Sequence, residues 1–182
     1  MGQYLYGIKS EDFNPPHIPS GSKVLDIGAG NGEITKKLMR MAGDGNVFAI
    51  EPGIEYNLED LSKLLDREHI FPKTLQEAIK EHSEKLIQQF DVVTVFKYNI
   101  PYNQKEEFIK DLSQTIKPDG VVYITSVEYS KINLMPHHGE APYIMDVLNG
   151  HFKNVDVEII KHPVQGYNQY ALITCRNPID FK

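Results

Sequence analysis

The chain has 182 residues, 41% of them hydrophobic and 24% charged, and a formal net charge of −6, so it is long enough for one domain with its own core. An acidic balance disfavours broad binding to nucleic-acid phosphates, although a local basic patch is compatible with it. The sequence shows no secretory signal pattern and no apolar run of the roughly 20 residues that cross a bilayer, and its one cysteine, Cys175, excludes an intrachain disulfide and favours a cytoplasmic location.

The first half of the chain alternates short apolar runs with segments of helical period. Residues 1–22, rich in aromatic side chains and proline, are predicted to form an irregular arm, and residues 23–182 a single domain. Up to residue 89 the pattern predicts three strands, at 24–27, 47–50 and, briefly, 69–71. Each is followed by a predicted helix, at 34–41, 58–65 and 75–89, and the last of these helices is expected to be solvated.

The second half continues this alternation and then changes. It predicts a strand at 91–96, a helix at 103–116, a turn at 118–120 and a strand at 121–125. A helix at 144–148 and two final strands at 155–160 and 170–175 follow. Strands that alternate with helices imply right-handed crossovers and a mostly parallel sheet. Because only a loop joins the two final strands, the last one should be antiparallel. The predicted fold is a doubly wound α/β domain with a seven-stranded sheet.

Three glycines follow the first strand in the stretch Val24-Leu-Asp-Ile-Gly-Ala-Gly-Asn-Gly32 and open the first helix. Glycine permits a positive φ and lets a ligand approach the backbone, and ligands of open α/β sheets bind at the carboxyl ends of the strands. Position 33 is Glu, where a dinucleotide-binding turn has a third glycine. A carboxylate in the first helical turn repels a pyrophosphate, so NAD and FAD fit this turn poorly.

Two acidic residues complete the pattern. Glu51 ends the second strand and can accept two hydrogen bonds from the vicinal hydroxyls of a ribose, while Asp26, just before the glycine turn, favours a cationic ligand over a phosphate. A site for a ribose and a positive charge fits a nucleoside that carries a sulfonium and an amino-acid tail. The alternative is a purely structural role, in which the glycine turn serves packing alone and Glu51 is a solvated turn residue.

The stretch VLDIGAGNG followed by FAIEP resembles the cofactor-binding motifs of class I S-adenosylmethionine-dependent methyltransferases, which have a Rossmann-like fold. The resemblance extends over FDVVTVF, IKPDGVVYI and the closing strand pair, roughly residues 22–176. It implies S-adenosyl-L-methionine as the cofactor and methyl transfer as the activity.

The resemblance also assigns residues to the cofactor. It implies that the methionine part lies along Asp26 and the glycine turn, that Glu51 binds the ribose, and that Pro52 approaches the adenine. Thr74 and Leu75 stand where the family contacts the adenine edge, and Phe96 ends the strand at which the methyl group meets the acceptor. The implied cofactor set is Asp26, Gly28, Ala29, Gly30, Gly32, Glu51, Pro52, Thr74, Leu75 and Phe96.

The segment Asn99-Ile-Pro-Tyr102 follows the fourth strand and resembles the motif of ribosomal RNA adenine-N6 methyltransferases. In that family the Asn orients the exocyclic amine and the aromatic ring stacks on the base. The acidic charge, the lack of an appended helical substrate domain and the segment IKPDGVVYI favour the small-substrate branch, in which Pro101 fixes a turn and Tyr102 packs at its rim. Asn99 and Tyr102 are nevertheless the candidate catalytic residues of an adenine methyltransferase.

A further catalytic candidate lies in the loop after the fifth strand. His138 is the candidate general base, since imidazole titrates near neutral pH. A metal site formed with His137 and Glu140 is not predicted, because neighbouring residues on an extended loop point apart.

The predicted function is in-line methyl transfer from S-adenosylmethionine to a small molecule or an accessible side chain, with no membrane partner. Two alternatives stay open: an adenine-N6 methyltransferase that acts on nucleic acid, and a binding or partner subunit that keeps the cofactor fold without turnover. A homodimer or a partner subunit is compatible with a domain this small.

Overall fold

The computed structural model of the protein describes residues 4–5, 8–9, 13–53, 55–96, 104–126, 141–161 and 169–179. The strands in these ranges are β1 (Tyr4–Leu5), β2 (Ile8–Lys9), β3 (Val24–Ile27), β4 (Val47–Ile50), β5 (Ile70–Phe71), β6 (Phe90–Val95), β7 (Ile116–Ser126), β8 (Phe152–Lys161) and β9 (Gln169–Pro178). The helices are α1 (Glu33–Ala42), α2 (Glu55–Ser62), α3 (Leu75–Glu81), α4 (Ser83–Leu86), α5 (Lys105–Thr115) and α6 (Ala141–His151), with a 3-10 turn at Arg67–His69.

Seven of these strands form one sheet in the order β5-β4-β3-β6-β7-β9-β8. The first five pair in parallel, whereas β9 is antiparallel to both β7 and β8. From β3 the chain runs outward through β4 and β5 and then returns to β6 on the other side of β3. The carboxyl end of β3 is therefore the switch point at which open α/β sheets bind ligands. This topology confirms the predicted doubly wound fold with an antiparallel last strand.

Apolar clusters cover both faces of the sheet. Successive strand residues point to opposite faces, and Leu25 of β3 packs with one cluster while Val24 packs with the other. Helices α5 and α6 cover the first face through Ile109, Leu112, Ile144 and Leu148. Helices α1 and α2 cover the second face through Ile34, Leu38 and Leu61. Burial on both faces explains why β3 and β6 consist mostly of apolar residues.

The one cysteine belongs to this core. Cys175 of β9 is fully buried, and desolvation raises the pKa of its thiol to about 12. It therefore packs as a small apolar side chain.

Helix α1 forms because its apolar residues recur at helical spacing. Ile34, Leu38 and Ala42 are all buried on one side of the helix. Gly43 follows with a φ of 98°, and its N–H donates to the carbonyl oxygen of Met39 at 2.8 Å. The glycine thus ends the helix.

Two predictions of secondary structure are wrong. The helix predicted at 75–89 is broken at His82, whose φ of −135° leaves the helical range and whose ring lies 5.4 Å from that of Phe71. The turn predicted at 118–120 lies inside β7, where the pairing with β6 shifts between Phe90 and Val92. Pro118 is tolerated there because a β-bulge needs no donor from it.

The described residues before residue 22 include a strand pair and two buried side chains. Strands β1 and β2 pair antiparallel. Phe13 and Ile18 are 2% and 1% exposed and belong to the cluster on the second face. The Lys37 ammonium group also donates to the carbonyl oxygen of Phe13 at 2.6 Å. A domain boundary at residue 22 stays a prediction.

Candidate functional site

The turn between β3 and α1 has the backbone that its glycines predict. Gly28, Gly30 and Gly32 have φ angles of 76°, 58° and 83°, a region that other residues rarely adopt. The N–H groups of Gly28 and Ala29 donate to the carbonyl oxygen of Ile50 at 2.8 and 3.2 Å. The turn is therefore fixed against the carboxyl end of β4.

Gly32 has a second reason to be glycine. A Cβ at this position would lie 2.6 Å from Leu64 Cδ1 and 3.1 Å from Leu61 Cδ2. The start of α1 is thus packed closely against the end of α2 and the turn after it. This contact is a packing role, and a cofactor contact of Gly32 stays a prediction.

Glu51 lies beside the glycine turn. It follows β4 directly, and β4 pairs in register with β3 so that Ile27 stands opposite Ile50. The Glu51 side chain is 8% exposed, and its Oε2 accepts a hydrogen bond from the Gly30 N–H at 2.7 Å. The two features that the sequence singled out therefore meet at the carboxyl edge of neighbouring parallel strands.

Asp26 is the centre of a buried hydrogen-bond network. Thr35 of α1 donates its hydroxyl to Asp26 Oδ2 at 2.7 Å, and Thr94 of β6 donates to Oδ1 at 2.9 Å. Burial raises the pKa of Asp26 to about 6, with a smaller contribution from the charge of Glu51, against the two hydroxyl hydrogen bonds that lower it. Both carboxyl oxygens are bound within the protein, so Asp26 joins the start of α1 to the two central strands.

Replacing Asp26 with asparagine is expected to remove a pH dependence of stability. Between about pH 4 and about pH 6 the folded protein keeps a proton that the unfolded chain releases. The free energy of unfolding of the unmodified protein should therefore fall as the pH rises through this range, by roughly 3 kcal/mol in all. The amide keeps the shape of the carboxyl group but does not titrate. Its oxygen can accept from one threonine hydroxyl while its NH2 group donates to the other, as a protonated carboxyl group would.

Urea unfolding of both proteins from pH 4 to pH 7 measures this effect. We expect the unmodified protein to lose stability as the pH rises, relative to the asparagine variant. The free energy of unfolding of the variant minus that of the unmodified protein should therefore increase with pH. A difference that does not change with pH would contradict the assignment of the proton to Asp26.

Two other predicted cofactor residues lie near the turn in different surroundings. Pro52 is exposed beside Glu51. Phe96 follows β6 and is 2% exposed, and its ring lies 4.9 Å from that of Phe13. A cofactor contact of Phe96 stays a prediction; its packing against Phe13 was not predicted, because nothing in an arm rich in aromatic residues shows which of them folds back onto the domain.

Thr74 and Leu75 lie at the start of α3. The Thr74 hydroxyl accepts a hydrogen bond from the N–H of Glu77 at 3.3 Å, and the Glu77 carboxylate accepts one from the N–H of Thr74 at 3.0 Å. This reciprocal pair caps the helix, and Leu75 is 3% exposed within the core. An adenine contact for either residue stays a prediction.

The candidate catalytic residues lie outside the described ranges. Asn99, Tyr102 and His138 therefore remain predictions, as does the helix start near Asn103, although α5 begins at Lys105. Among the side chains that the structure describes, no group of three His, Cys, Asp or Glu residues could hold a metal ion. Nor is any helix in the described part of the chain long and apolar enough to cross a bilayer.

Sequence comparison identifies related proteins. A family model described as a methyltransferase domain matches residues 8–168. The ubiquinone biosynthesis O-methyltransferase of Salmonella paratyphi A is 29% identical over 109 residues, which cover 59% of this chain and 43% of that protein. The match thus spans less than half the length of this curated relative.

Solved structures share the fold at low sequence identity. The 1,6-didemethyltoxoflavin-N1-methyltransferase of Burkholderia thailandensis superposes with a TM-score of 0.64 at 17% identity, covering 87% of this chain and 72% of that one. The N-methyltransferase NodS of Bradyrhizobium japonicum superposes with a TM-score of 0.62 at 17% identity, covering 87% and 79%. Because the family model covers most of the chain, this protein belongs to the methyltransferase domain family, as its glycine and acidic motifs predicted.

Proposed function

We propose that the protein binds S-adenosyl-L-methionine at the carboxyl ends of β3 and β4 and transfers its methyl group to a small molecule or an accessible side chain. The observation that carries this proposal is the 2.7 Å hydrogen bond between Glu51 and Gly30. This contact places the acid suited to a ribose beside the turn suited to close ligand approach, which supports a joint role for them in one site.

The residues of this site fit the cofactor in shape and charge. Positive φ at Gly28 and Gly30 brings the backbone of the turn to the surface of the sheet edge without a Cβ in the way. Two carboxyl groups, Asp26 and Glu51, lie close enough to influence each other, and Glu33 adds an exposed acid at the start of α1. This negative potential favours a sulfonium and opposes a diphosphate.

Each residue has a distinct task in this proposal. Glu51 accepts hydrogen bonds from the ribose hydroxyls, and the glycine turn holds the amino-acid tail. Asp26 keeps the turn in place through Thr35 and Thr94. When bound, S-adenosylmethionine supplies an electrophilic methyl group, so the protein needs chiefly to orient the acceptor and exclude water.

A small-molecule acceptor is supported by charge and by relatives. The formal net charge of −6 opposes a broad grip on nucleic acid. One protein of the same fold holds 1,6-didemethyltoxoflavin and S-adenosylhomocysteine, and the similar Salmonella protein is named for an O-methylation in ubiquinone biosynthesis. A homodimer or partner subunit and a cytoplasmic location stay predictions from the sequence.

Substitution of Asn99 by alanine discriminates the adenine alternative. If the acceptor is an adenine amine, loss of the amide that orients it should abolish transfer to RNA or DNA, by roughly 100-fold or more. If the acceptor is a small molecule, transfer should remain within a fewfold of the unmodified protein. Filter binding of labelled nucleic acid and chromatography of labelled small molecules measure the two activities.

The direct test of the proposed function uses methyl-labelled cofactor and fractionated cell extract. Label in the small-molecule or protein fraction supports the proposal and identifies the acceptor. Label confined to nucleic acid supports the alternative based on Asn99 and Tyr102. Binding of the cofactor without any labelled product indicates a partner subunit that does not turn over.

A further inference from the structure

Gly53 lies two residues after Glu51, between β4 and α2 in the sequence. A Cβ built at Gly53 would lie 2.2 Å from Glu51 Oε1 and 3.4 Å from Glu51 Cδ. The first distance is too short for any real contact between these atoms. The carboxylate of Glu51 therefore occupies the space that a side chain at position 53 would fill.

The requirement for glycine here is spatial and not conformational. Gly53 is absent from the glycines with positive φ in the described residues, so other amino acids could adopt its backbone angles. Its remaining neighbour, Asn57 Nδ2, would lie at an ordinary contact distance of 3.6 Å from the added Cβ. Only the carboxylate of Glu51 would have to move.

The two oxygens of Glu51 are thus constrained from two sides. Oε2 is held by the Gly30 N–H at 2.7 Å, and Oε1 lies over the bare Cα of Gly53. Because the side chain of Glu51 is 8% exposed, it has little free space into which it could turn while keeping the Gly30 hydrogen bond. A methyl group at position 53 should break that bond or redirect the carboxylate.

We propose that Gly53 is a positioning residue for Glu51, which holds the carboxylate at the glycine turn in the orientation that binds the ribose. This inference rests on the proposed function, since it assigns to Gly53 an effect on cofactor affinity. The atom that gives way is the end of a flexible side chain, so Gly53→Ala should leave the fold intact. Affinity and stability should therefore respond differently to this variant.

The test compares Gly53→Ala with Gly150→Ala by calorimetric titration with S-adenosylhomocysteine and by thermal unfolding. Gly150 lies in α6, and a Cβ there would meet nothing within 4 Å, so the same chemical change serves as the matched control. We expect Gly53→Ala to raise the Kd roughly tenfold or more, as for loss of a hydrogen bond to a charged group. Gly150→Ala should bind normally, and both variants should melt within a few degrees of the unmodified protein.

Glu51→Ala and the double variant Glu51→Ala/Gly53→Ala complete the cycle. If Gly53 acts through Glu51, the second substitution should have no further effect once the carboxylate is gone. Additive effects, normal affinity of Gly53→Ala, or a large loss of its melting temperature would each overturn the positioning role. When Glu51→Ala itself weakens binding, these results overturn the inference alone, whereas normal affinity of Glu51→Ala overturns the proposed site as well.

Discussion

Glu51→Ala is expected to raise the Kd for S-adenosylmethionine by roughly 100-fold or more, because two charge-assisted hydrogen bonds to the ribose are lost together. The site makes this carboxylate available: it lies at the carboxyl end of β4 and is already within hydrogen-bond distance of the glycine turn. Stability should fall by only about 1–2 kcal/mol, the cost of the lost hydrogen bond from the Gly30 N–H to this buried carboxylate. Isothermal titration calorimetry measures the affinity.

The matched control for this variant is Glu68→Ala. Glu68 is an exposed residue of the 3-10 turn before β5, and its replacement removes the same charge from the protein. We expect it to bind the cofactor with the affinity of the unmodified protein. Equal losses in the two variants would mean that total charge, and not the position of Glu51, determines binding.

Gly28→Val is expected to abolish detectable binding and to lower the free energy of unfolding by about 2 kcal/mol. The φ of 76° at Gly28 is strongly unfavourable for a β-branched residue. Relief of this strain would also displace the N–H that donates to the carbonyl oxygen of Ile50 at 2.8 Å. Urea unfolding and calorimetric titration measure the two effects.

Gly45→Val separates backbone strain from loss of the site. Gly45 has a φ of 82°, and a Cβ added there would meet nothing within 4 Å. It precedes β4 and so lies near the amino-terminal end of that strand, away from the carboxyl ends that form the proposed site. We expect a similar loss of stability and normal cofactor affinity. If Gly28→Val retained the affinity of Gly45→Val, the glycine turn would not be the binding site.

The features that sequence predicted well are local ones. A glycine turn between a strand and a helix, and an acid at the end of the next strand, are defined by residues close together in the chain. Parallel pairing of β3 and β4 then brings Gly30 and Glu51 together, because the carboxyl ends of neighbouring parallel strands lie at one edge. The meeting of these two residues was therefore predictable.

The features that sequence missed depend on contacts between distant segments. The hydrogen bond from Thr94 to Asp26 joins positions 68 residues apart and depends on the register of β3 with β6. A buried carboxylate requires hydrogen-bond donors, so the sequence could indicate that Asp26 has donors nearby. It could not indicate which hydroxyl groups supply them. The same holds for Gly53, whose role depends on where the Glu51 side chain turns.

The errors in secondary structure have a similar origin. The helix predicted at 75–89 follows the apolar pattern, but it is interrupted at His82, whose ring packs against that of Phe71 of the preceding strand, a contact that the apolar pattern does not show. Pro118 and Gly120 are typical of turns, yet here they lie in a bulge of β7. A Cβ at Gly120 would lie 3.0 Å from the carbonyl oxygen of Asp91 in β6, so this glycine permits close approach of two strands.

A crystal structure of the protein with S-adenosylhomocysteine tests the central claim most directly. The expected result is a nucleoside at the carboxyl ends of β3 and β4, with its ribose hydroxyls on the Glu51 carboxylate and its amino-acid tail along Gly28 and Gly30. A nucleoside bound elsewhere while Glu51 keeps its bond to Gly30, or a diphosphate seated in the glycine turn, would contradict it.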